Sequence, residues 1–164
     1  MIASLRGNVQ LRSLDRAVLD VNGVGYEVFL VEQNPYLGGR VAQLKHYFPK
    51  LCPPTCGLEI NYKRIKSNSR ITVLTLAELE SLTGAPGDYE ATIRISPRYI
   101  KDTCTICNAC VDVCPSERTD EFNYGISKTK AVYLNQSMAF PARYAIDRDA
   151  CESGCRACAD ACSY

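Results

Sequence analysis

The sequence has no stretch of 18 or more apolar residues, so no segment is predicted to span a membrane. It also has little net charge, because 19 Lys and Arg residues are balanced by 18 Asp and Glu residues. This balance provides no field that would attract nucleic acid or acidic lipid. The N-terminus lacks the apolar region of a signal peptide, which favours a reducing cytoplasm as the compartment.

Residues suited to acid, base or nucleophilic catalysis are scarce. His46 is the only histidine, and no Ser/His/Asp or Cys/His arrangement is apparent. A GxGxxG turn for a dinucleotide is also missing, because Val28 occupies the third glycine position after Gly23 and Gly25. The sequence therefore predicts no side chain that acts as a catalyst.

The 164 residues are 46% hydrophobic and 23% charged, enough to bury the core of one ordinary domain or two small ones. The most informative residue type in the sequence is cysteine, which occurs ten times. One run reads C-x2-C-x2-C-x3-C-P, the spacing of bacterial ferredoxin ligands for a 4Fe-4S cluster. A second run reads C-x3-C-x2-C-x3-C, so two clusters are predicted. The eight proposed ligands are Cys104, Cys107, Cys110, Cys114, Cys151, Cys155, Cys158 and Cys162.

In two-cluster ferredoxins the fourth cysteine of each run binds the other cluster. The pattern therefore predicts one cluster on Cys104, Cys107, Cys110 and Cys162, and the other on Cys151, Cys155, Cys158 and Cys114. The second run departs from the pattern twice: its first gap is x3, and Ser163 stands where the pattern has proline.

Two other uses of these cysteines fit the spacing less well. Structural zinc needs four ligands per ion and gives no reason for a fourth cysteine after x3 in each run. A disulfide framework suits a short secreted chain, and no signal peptide is present. The spacing favours clusters over both.

The first 31 residues predict three strands, Ile2–Gln10, Arg16–Val21 and Gly25–Val31, with a tight hairpin turn at Asn22-Gly23. The stretches MIASLRGNV and VLDVNGVGYEVF resemble the opening of the oligonucleotide-binding-fold domain of RuvA, the Holliday-junction branch migration protein. In that family the DNA contacts come chiefly from later helix-hairpin-helix segments. None is found here, so this resemblance does not predict nucleic acid as a partner.

A second resemblance begins at about residue 25 and continues for about 140 residues. GYEVFLVEQNPYLGGRVAQL, the following segment and both cysteine runs are similar to the A-type flavoprotein subunit of heterodisulfide reductase. CPPTCGLEIN is closer to the A-type subunit of the quinone-interacting oxidoreductase complex. The resemblance implies electron transfer through two 4Fe-4S clusters and FAD. It also implies partners, the other subunits of a heterodisulfide-reductase-like or quinone-linked complex.

Four residues are candidate flavin contacts. Glu32 ends a predicted strand, where a Rossmann-like fold places a carboxylate on a ribose, and Gly38, Gly39 and Arg40 form a turn suited to a pyrophosphate. In the resembled family this region contacts FAD. A solvated glutamate and a plain turn are the alternatives. Because the GxGxxG turn is missing, we do not expect this chain to hold FAD by itself.

Cys52 and Cys56 flank two prolines that stiffen the loop between them. Two cysteines cannot complete a cluster, so a role in electron transfer near a flavin and a pair of plain reduced thiols both stay open.

Between these motifs the pattern predicts a helix at Leu58–Lys66, a strand at Ile71–Leu76 and a hairpin of Glu78–Thr83 with Tyr89–Ser96. RYIKDTC and RYAIDRDAC are similar to each other, which indicates an internal repeat of strand, cluster loop and helix. The segment between the runs carries four aromatic residues predicted to shield clusters from water, Phe122, Tyr124, Tyr133 and Phe140.

The sequence thus predicts an α+β protein: a truncated Rossmann-like flavoprotein fragment with a bacterial-ferredoxin-like two-cluster module and an N-terminal β segment. The predicted domains are 1–31, 32–97 and 98–164. We expect residues 1 to about 25 to have been joined to a flavoprotein fragment at the shared GYEV. The predicted location is the cytoplasm, with any membrane association made through partner subunits. The alternative function is a nucleic-acid-binding or subunit-docking module with structural cysteines.

Overall fold

A computed structural model describes residues 8–13, 16–21, 24–25, 28–49, 51–85 and 88–164, with side chains from residue 28 onward. Helices and strands are mixed along the described chain, which confirms the predicted α+β character. Within the described ranges, no helix is both long and apolar enough for a membrane span. The chain divides into two compact units, residues 1–34 with 56–96 and residues 35–55 with 97–164.

The first unit begins with an antiparallel sheet of β1 (Asn8–Ser13), β2 (Arg16–Val21) and β3 (Val24–Gly25). The predicted strand Arg16–Val21 is confirmed. The Asn22-Gly23 turn and the start of the first predicted strand lie outside the described residues. Val21 pairs with Val24 across that turn, as a tight hairpin requires.

The single strand predicted for residues 25–31 is wrong. β3 ends at Gly25 and pairs with β2, whereas β4 (Val28–Glu32) belongs to a different sheet. β4 pairs in parallel with β5 (Ile71–Thr75), so that Val28 lies opposite Ile71 and Glu32 opposite Thr75. The continuous apolar sequence gave no sign that β3 and β4 pair with different strands. The partner of β4 is β5, which lies about 40 residues further along the chain.

A helix joins the two parallel strands, as parallel pairing requires a long crossover. This helix, α2, spans Pro54–Ser67 and begins four residues before its predicted start. Proline suits the first helical position because the N–H it lacks would have no partner in the helix. Tyr62 and Ile65 are buried on one face, at helical spacing. The helix stops where the Asn68 side chain accepts the Arg70 N–H at 3.0 Å.

β4 alternates between buried and exposed side chains. Val28 and Leu30 are buried, whereas Phe29 is 56% exposed. A continuous apolar run such as this one is typical of a strand that is buried on both faces. The apolar run contains residues of both faces, and only one of these faces is packed in the described structure.

The predicted hairpin is confirmed, with β6 at Ala77–Ala85 and β7 at Asp88–Ile95. Two residues of its connecting loop, 86–87, lie outside the described residues. Gly84 has a φ of 105°, and a Cβ there would lie 2.1 Å from the Asp88 carbonyl oxygen, so glycine is required at this close approach.

The second unit is built from short elements around two small clusters of buried residues. Ala131, Val132, Tyr144 and Cys114 form one buried cluster, against which further cysteines pack. The elements are α1 (Gly39–Ala42), α3 (Ala109–Asp112), β8 (Glu117–Thr119), β9 (Lys128–Lys130), β10 (Val132–Tyr133), β11 (Ala145–Ile146) and α4 (Ala157–Asp160), with β8 paired to β9 and β10 to β11.

Candidate metal centre

The first cysteine run forms a loop followed by one turn of helix. Ile106 and Asn108 have positive φ values of 58° and 69°, an arrangement that curls the backbone between the cysteines. The Asn108 carbonyl accepts the Val111 N–H at 2.8 Å, and α3 begins at this point. Asparagine is among the few residues that tolerate the left-handed region.

The second run accommodates its longer first gap with a glycine. Gly154 has a φ of 75°, and the Cys155 N–H donates to the Glu152 carbonyl at 3.1 Å. The extra residue is therefore taken up in a turn before Cys155. α4 then follows, as α3 follows in the first run.

Cysteines from both runs border one cavity of about 440 Å³. Ile100, Ala109, Ile146 and Ala159 contribute apolar surface beside the thiols. The cysteines that line it are Cys104, Cys107, Cys110, Cys155, Cys158 and Cys162.

Cys114 lies at the end of the first run but close to the start of the second. It is 7% exposed, and its Sγ lies 3.5 Å from the Ser116 carbonyl oxygen. The Ser116 hydroxyl accepts the backbone N–H of Glu152, next to Cys151, at 3.2 Å. The buried Ser116 thus holds the two run segments together.

Cys162 has the converse position. It borders the same cavity as the first three cysteines of the other run, and as Cys155 and Cys158 of its own run. Lys101, which precedes the first run, donates to the Tyr164 backbone oxygen at 2.8 Å. The Cys162 Sγ lies 3.4 Å from that same oxygen.

The thiols interact electrostatically. Burial, with the neighbouring Cys104, raises the pKa of Cys110 to about 11. Burial also raises the pKa of Cys158, and Cys151, Cys114 and Cys155 contribute in the same direction. Thiols bind iron as thiolates, so binding of a cluster by these cysteines must release protons. The positive charge of the iron would offset the repulsion among the thiolates.

The donor set fits 4Fe-4S clusters. All ten cysteines are free, and the eight in the two runs provide sulfur ligands only. A cluster takes each thiolate at a different iron, so the sulfurs do not need to converge on one point. Among the described residues there is no group of three or more Cys, His, Asp or Glu side chains that could hold a single metal ion.

The internal repeat is visible as contacts between its two halves. Arg98 is buried and donates to the carbonyls of Arg143 and Tyr144, at 3.4 and 3.3 Å. Tyr144 is buried and its hydroxyl bonds the Asn108 side chain. Sequence reasoning had assigned no role to Tyr144 or Asn108, although the RY pair common to both halves was a signal. The strand predicted in each half occurs in the second half, as β11, but residues 98–103 contain none.

The predicted shielding role of the aromatic residues is wrong for Tyr124, which is 64% exposed. Tyr133 packs edge-on against Tyr36 with ring centroids 6.4 Å apart, and the Arg118 guanidinium lies 4.4 Å from the Tyr133 ring centroid. Phe122 and Phe140 are partly buried but do not line the cavity.

The candidate flavin contacts belong to two different units. In the first unit, Glu32 lies at the end of β4, and its Oε1 accepts the backbone and side-chain N–H groups of Asn34 at 2.7 and 2.8 Å. In the second unit, Gly38 and Gly39 have φ values of 114° and 48° and open the short helix α1, which includes Arg40. The predicted tight turn is present.

Cys52 and Cys56 have different surroundings. Cys52 is half-buried and its carbonyl accepts the Tyr47 N–H at 3.2 Å, whereas Cys56 is exposed in the first turn of α2. The helix therefore begins inside the segment that had been interpreted as a proline-stiffened loop.

The sequence is similar to known iron-sulfur proteins. It is 39% identical over 151 residues to the A-type iron-sulfur subunit of the CoB–CoM heterodisulfide reductase of Methanocaldococcus jannaschii, a match that covers 90% of this chain and 22% of that protein. It is 38% identical over 154 residues to the A-type subunit of the Ferredoxin:CoB–CoM heterodisulfide reductase of Methanosarcina acetivorans, covering 89% and 19% of the two chains. It is 36% identical over 148 residues to the A-type subunit of the H(2):CoB–CoM heterodisulfide,ferredoxin reductase of Methanothermobacter marburgensis. That match covers 90% of this chain and 22% of that protein.

The chain therefore spans about a fifth of the length of the curated relatives it matches. Residues 1–45 also match the family described as RuvA N terminal domain. The two kinds of match share part of the chain, because 90% coverage and 45 residues together exceed its length. Both resemblances deduced from the motifs are confirmed.

Proposed function

We propose that this chain, a relative of part of the A-type iron-sulfur subunit of heterodisulfide reductases, transfers electrons through two 4Fe-4S clusters held by its two cysteine runs. One observation supports this most directly: six cysteines from both runs border a single cavity. The ligand sets are the crossed ones, with Cys162 completing the first run and Cys114 completing the second. When bound, such clusters accept and release single electrons.

The side chains of this unit bind, space and shield the clusters. Ile106 and Asn108 curl the first loop, and the Tyr144 hydroxyl holds Asn108 in place. Ile100 and Ile146 exclude water from part of the cavity. Burial and hydrogen bonds to sulfur tune the reduction potential of a cluster, so these contacts influence the reduction potentials of the two clusters.

The partial flavoprotein region has a supporting role in the proposal. Glu32, Gly38, Gly39 and Arg40 would contact FAD when this segment is part of a complete flavoprotein. The position of Glu32 at the carboxyl end of a parallel strand supports this assignment, because ligands of such sheets bind there. The proposed partners are the other subunits of a heterodisulfide-reductase-like or quinone-linked complex, in the cytoplasm.

Anaerobic reconstitution of the chain tests the function. We expect about eight irons and as many sulfides per protein, and a paramagnetic resonance spectrum of two interacting reduced clusters. Zinc with little iron would contradict the proposal.

The RuvA match over residues 1–45 supports a second candidate, a nucleic-acid-binding or docking module whose cysteines are structural. Binding to four-way junction DNA at moderate salt tests it. Affinity well above that for a scrambled duplex would favour this candidate.

The two matches also support the proposal that segments of two origins were joined near GYEV. The mass of the endogenous polypeptide tests this. A product that lacks either matched segment would contradict it.

A further inference from the structure

We propose that Arg148 raises the reduction potential of one of the two clusters, the one held by the second cysteine run. This inference rests on the proposed electron-transfer function and names a residue that tunes it. The cluster concerned, called the second-run cluster here, is the one bound by Cys151, Cys155 and Cys158, whichever cysteine supplies its fourth ligand. Arg148 thereby favours residence of an electron on the second-run cluster.

The first observation is the position of the Arg148 guanidinium. Its Nη1 lies 4.0 Å from the Cys151 Sγ, at hydrogen-bond distance for a sulfur acceptor. The Cys151 N–H donates to the Arg148 carbonyl at 3.3 Å, so the two residues close one turn at the start of the run. Reduction adds one electron to the cluster and its thiolates without forming or breaking a bond. A cation beside a ligand sulfur stabilises this added negative charge, which raises the reduction potential.

The second observation is that the guanidinium is held from another side. It lies 5.5 Å from the ring centroid of Tyr99, in a cation–π contact. Tyr99 belongs to the other half of the internal repeat, so this contact joins the two halves. An exposed arginine loses rotamer freedom when it is fixed, and two contacts offset that cost better than one.

The third observation is that the backbone around Arg148 is fixed by an ion pair. Asp147 Oδ2 accepts the Arg118 Nε–H at 2.7 Å, and the Arg118 side chain is only 12% exposed. Asp147 Oδ1 accepts the backbone N–H groups of Asp149 and Ala150, at 3.0 and 3.3 Å. One carboxylate thus joins strand β8 to the turn that carries Arg148, so the position of Arg148 does not depend on its side chain alone.

The fourth observation is a difference between the two halves of the repeat. The Cys104 N–H donates to the Lys101 carbonyl at 3.2 Å, so the first run also begins with a turn that starts at a cation. The Lys101 ammonium, however, donates to the Tyr164 backbone oxygen at 2.8 Å. The two cations therefore have different acceptors, and Lys101 provides a position-matched comparison for Arg148.

Other charges near the turn do not replace Arg148. Asp149 and Glu152 are exposed, and their carboxylates have no N–H to donate to sulfur. Arg156 borders the cavity, but its Nε lies 4.0 Å from the Asp160 carboxylate, and both side chains are largely exposed. Charges that are so exposed act weakly on their surroundings.

The test uses reconstituted chains in which one cluster keeps all of its ligands. Cys107→Ala removes a ligand of the first-run cluster and leaves the second-run cluster complete, and Cys155→Ala does the converse. Arg148→Gln is added to each of these chains. Titration with dithionite and mediator dyes, followed by paramagnetic resonance, measures the ratio of reduced to oxidised cluster at a fixed solution potential.

In the Cys107→Ala chain, Arg148→Gln should lower this ratio about fivefold, because a unit charge at such a distance shifts an equilibrium by about this factor even in a high dielectric. Arg148→Lys keeps the charge and should lower the ratio less than about twofold. Two controls should each change the ratio less than about twofold. They are Lys101→Gln in the same chain and Arg148→Gln in the Cys155→Ala chain.

The possible failures are distinguishable. Iron and sulfide contents of the unmodified protein are measured first, and little iron would overturn the proposed function together with the role of Arg148. Intact clusters with an unchanged ratio in Arg148→Gln would overturn the role of Arg148 alone. So would an equal shift in either control, which would mean that charge acts without regard to position. A ratio in Arg148→Lys as low as in Arg148→Gln, or loss of iron in Arg148→Gln, would assign Arg148 a structural role and also overturn the proposal.

The same titration of the protein with both clusters provides a second measurement, which does not depend on the stability of the two cysteine variants. Arg148→Gln should lower one of the two midpoint potentials and leave the other nearly unchanged. Equal lowering of both potentials would overturn the proposal.

Discussion

At the scale of single residues, the surroundings of Cys162 and Cys114 bear most directly on the proposed crossed ligand sets. Ser116 bonds the second run next to Cys151, and Cys162 borders a cavity together with three cysteines of the first run and with Cys155 and Cys158 of its own run. These contacts support the crossed ligand sets indirectly, because they involve residues next to the cysteines and not bonds to iron. Paired substitutions can decide the assignment.

We predict that Cys107→Ala/Cys162→Ala keeps one cluster, with about four irons per protein, because both changes fall on the same cluster. Cys155→Ala/Cys162→Ala should lose both clusters. Iron and sulfide counts with paramagnetic resonance measure this. The opposite pattern would show that each run holds its own cluster.

Tyr36 provides a second prediction at this scale. Burial raises its pKa, and its hydroxyl lies within hydrogen-bond distance of the carbonyls of Tyr133 and Arg143, at 2.8 and 3.0 Å. The folded-state pKa lies above the unfolded value of about 10. The contribution of Tyr36 to the free energy of unfolding is therefore fully present below pH 10 and decreases as the pH rises beyond it.

Tyr36→Phe should therefore lower the free energy of unfolding by about 1 kcal/mol near neutral pH. It should also remove one late-titrating tyrosine from an alkaline absorbance titration of reduced, iron-free protein. Tyr89→Phe is a suitable control because Tyr89 is 40% exposed. An unchanged late phase would contradict the assignment.

At the scale of elements, the cluster loops depend on a few left-handed positions. Gly154 has a φ of 75°, and no atom lies within 4 Å of the point that a Cβ would occupy, so only backbone conformation opposes a side chain there.

Gly154→Ala should raise the free energy of the second loop by about 1–2 kcal/mol. Iron release to a chelator should then be about 5 to 30 times faster. Gly154→Asn should be milder, because asparagine tolerates this region. Equal rates for the alanine and asparagine variants would show that φ at this position does not limit the loop.

Elements were predicted best where their signals are local. The hairpin of β6 and β7 and the strand Arg16–Val21 follow from alternation and turn residues within a few positions. The start of α2 and the split at residues 25–28 were missed. A proline at a first helical position resembles a loop in sequence, and a strand's partner is chosen by distant residues.

At the scale of the whole molecule, the chain spans about a fifth of the curated relatives it matches. The candidate flavin contacts lie in two different units, and no GxGxxG turn occurs in the sequence.

We predict that the purified chain retains clearly less than one FAD per protein through gel filtration, since the turn that cradles the pyrophosphate is missing. Flavin absorbance against protein concentration measures this. Stoichiometric retention would show that the prediction is wrong and that Gly38 and Gly39 suffice.

By itself, the sequence determined the type of ligand, the number of cysteines in each run and the relatives, because cluster spacing is local and is written in consecutive residues. Only the tertiary structure decided that six of those thiols border one cavity, that Cys114 lies beside the second run through Ser116, and that three basic residues line the same cavity. The physical reason is that such contacts join residues more than 30 positions apart, as Ser116 and Glu152 are, and no local pattern encodes which of them meet.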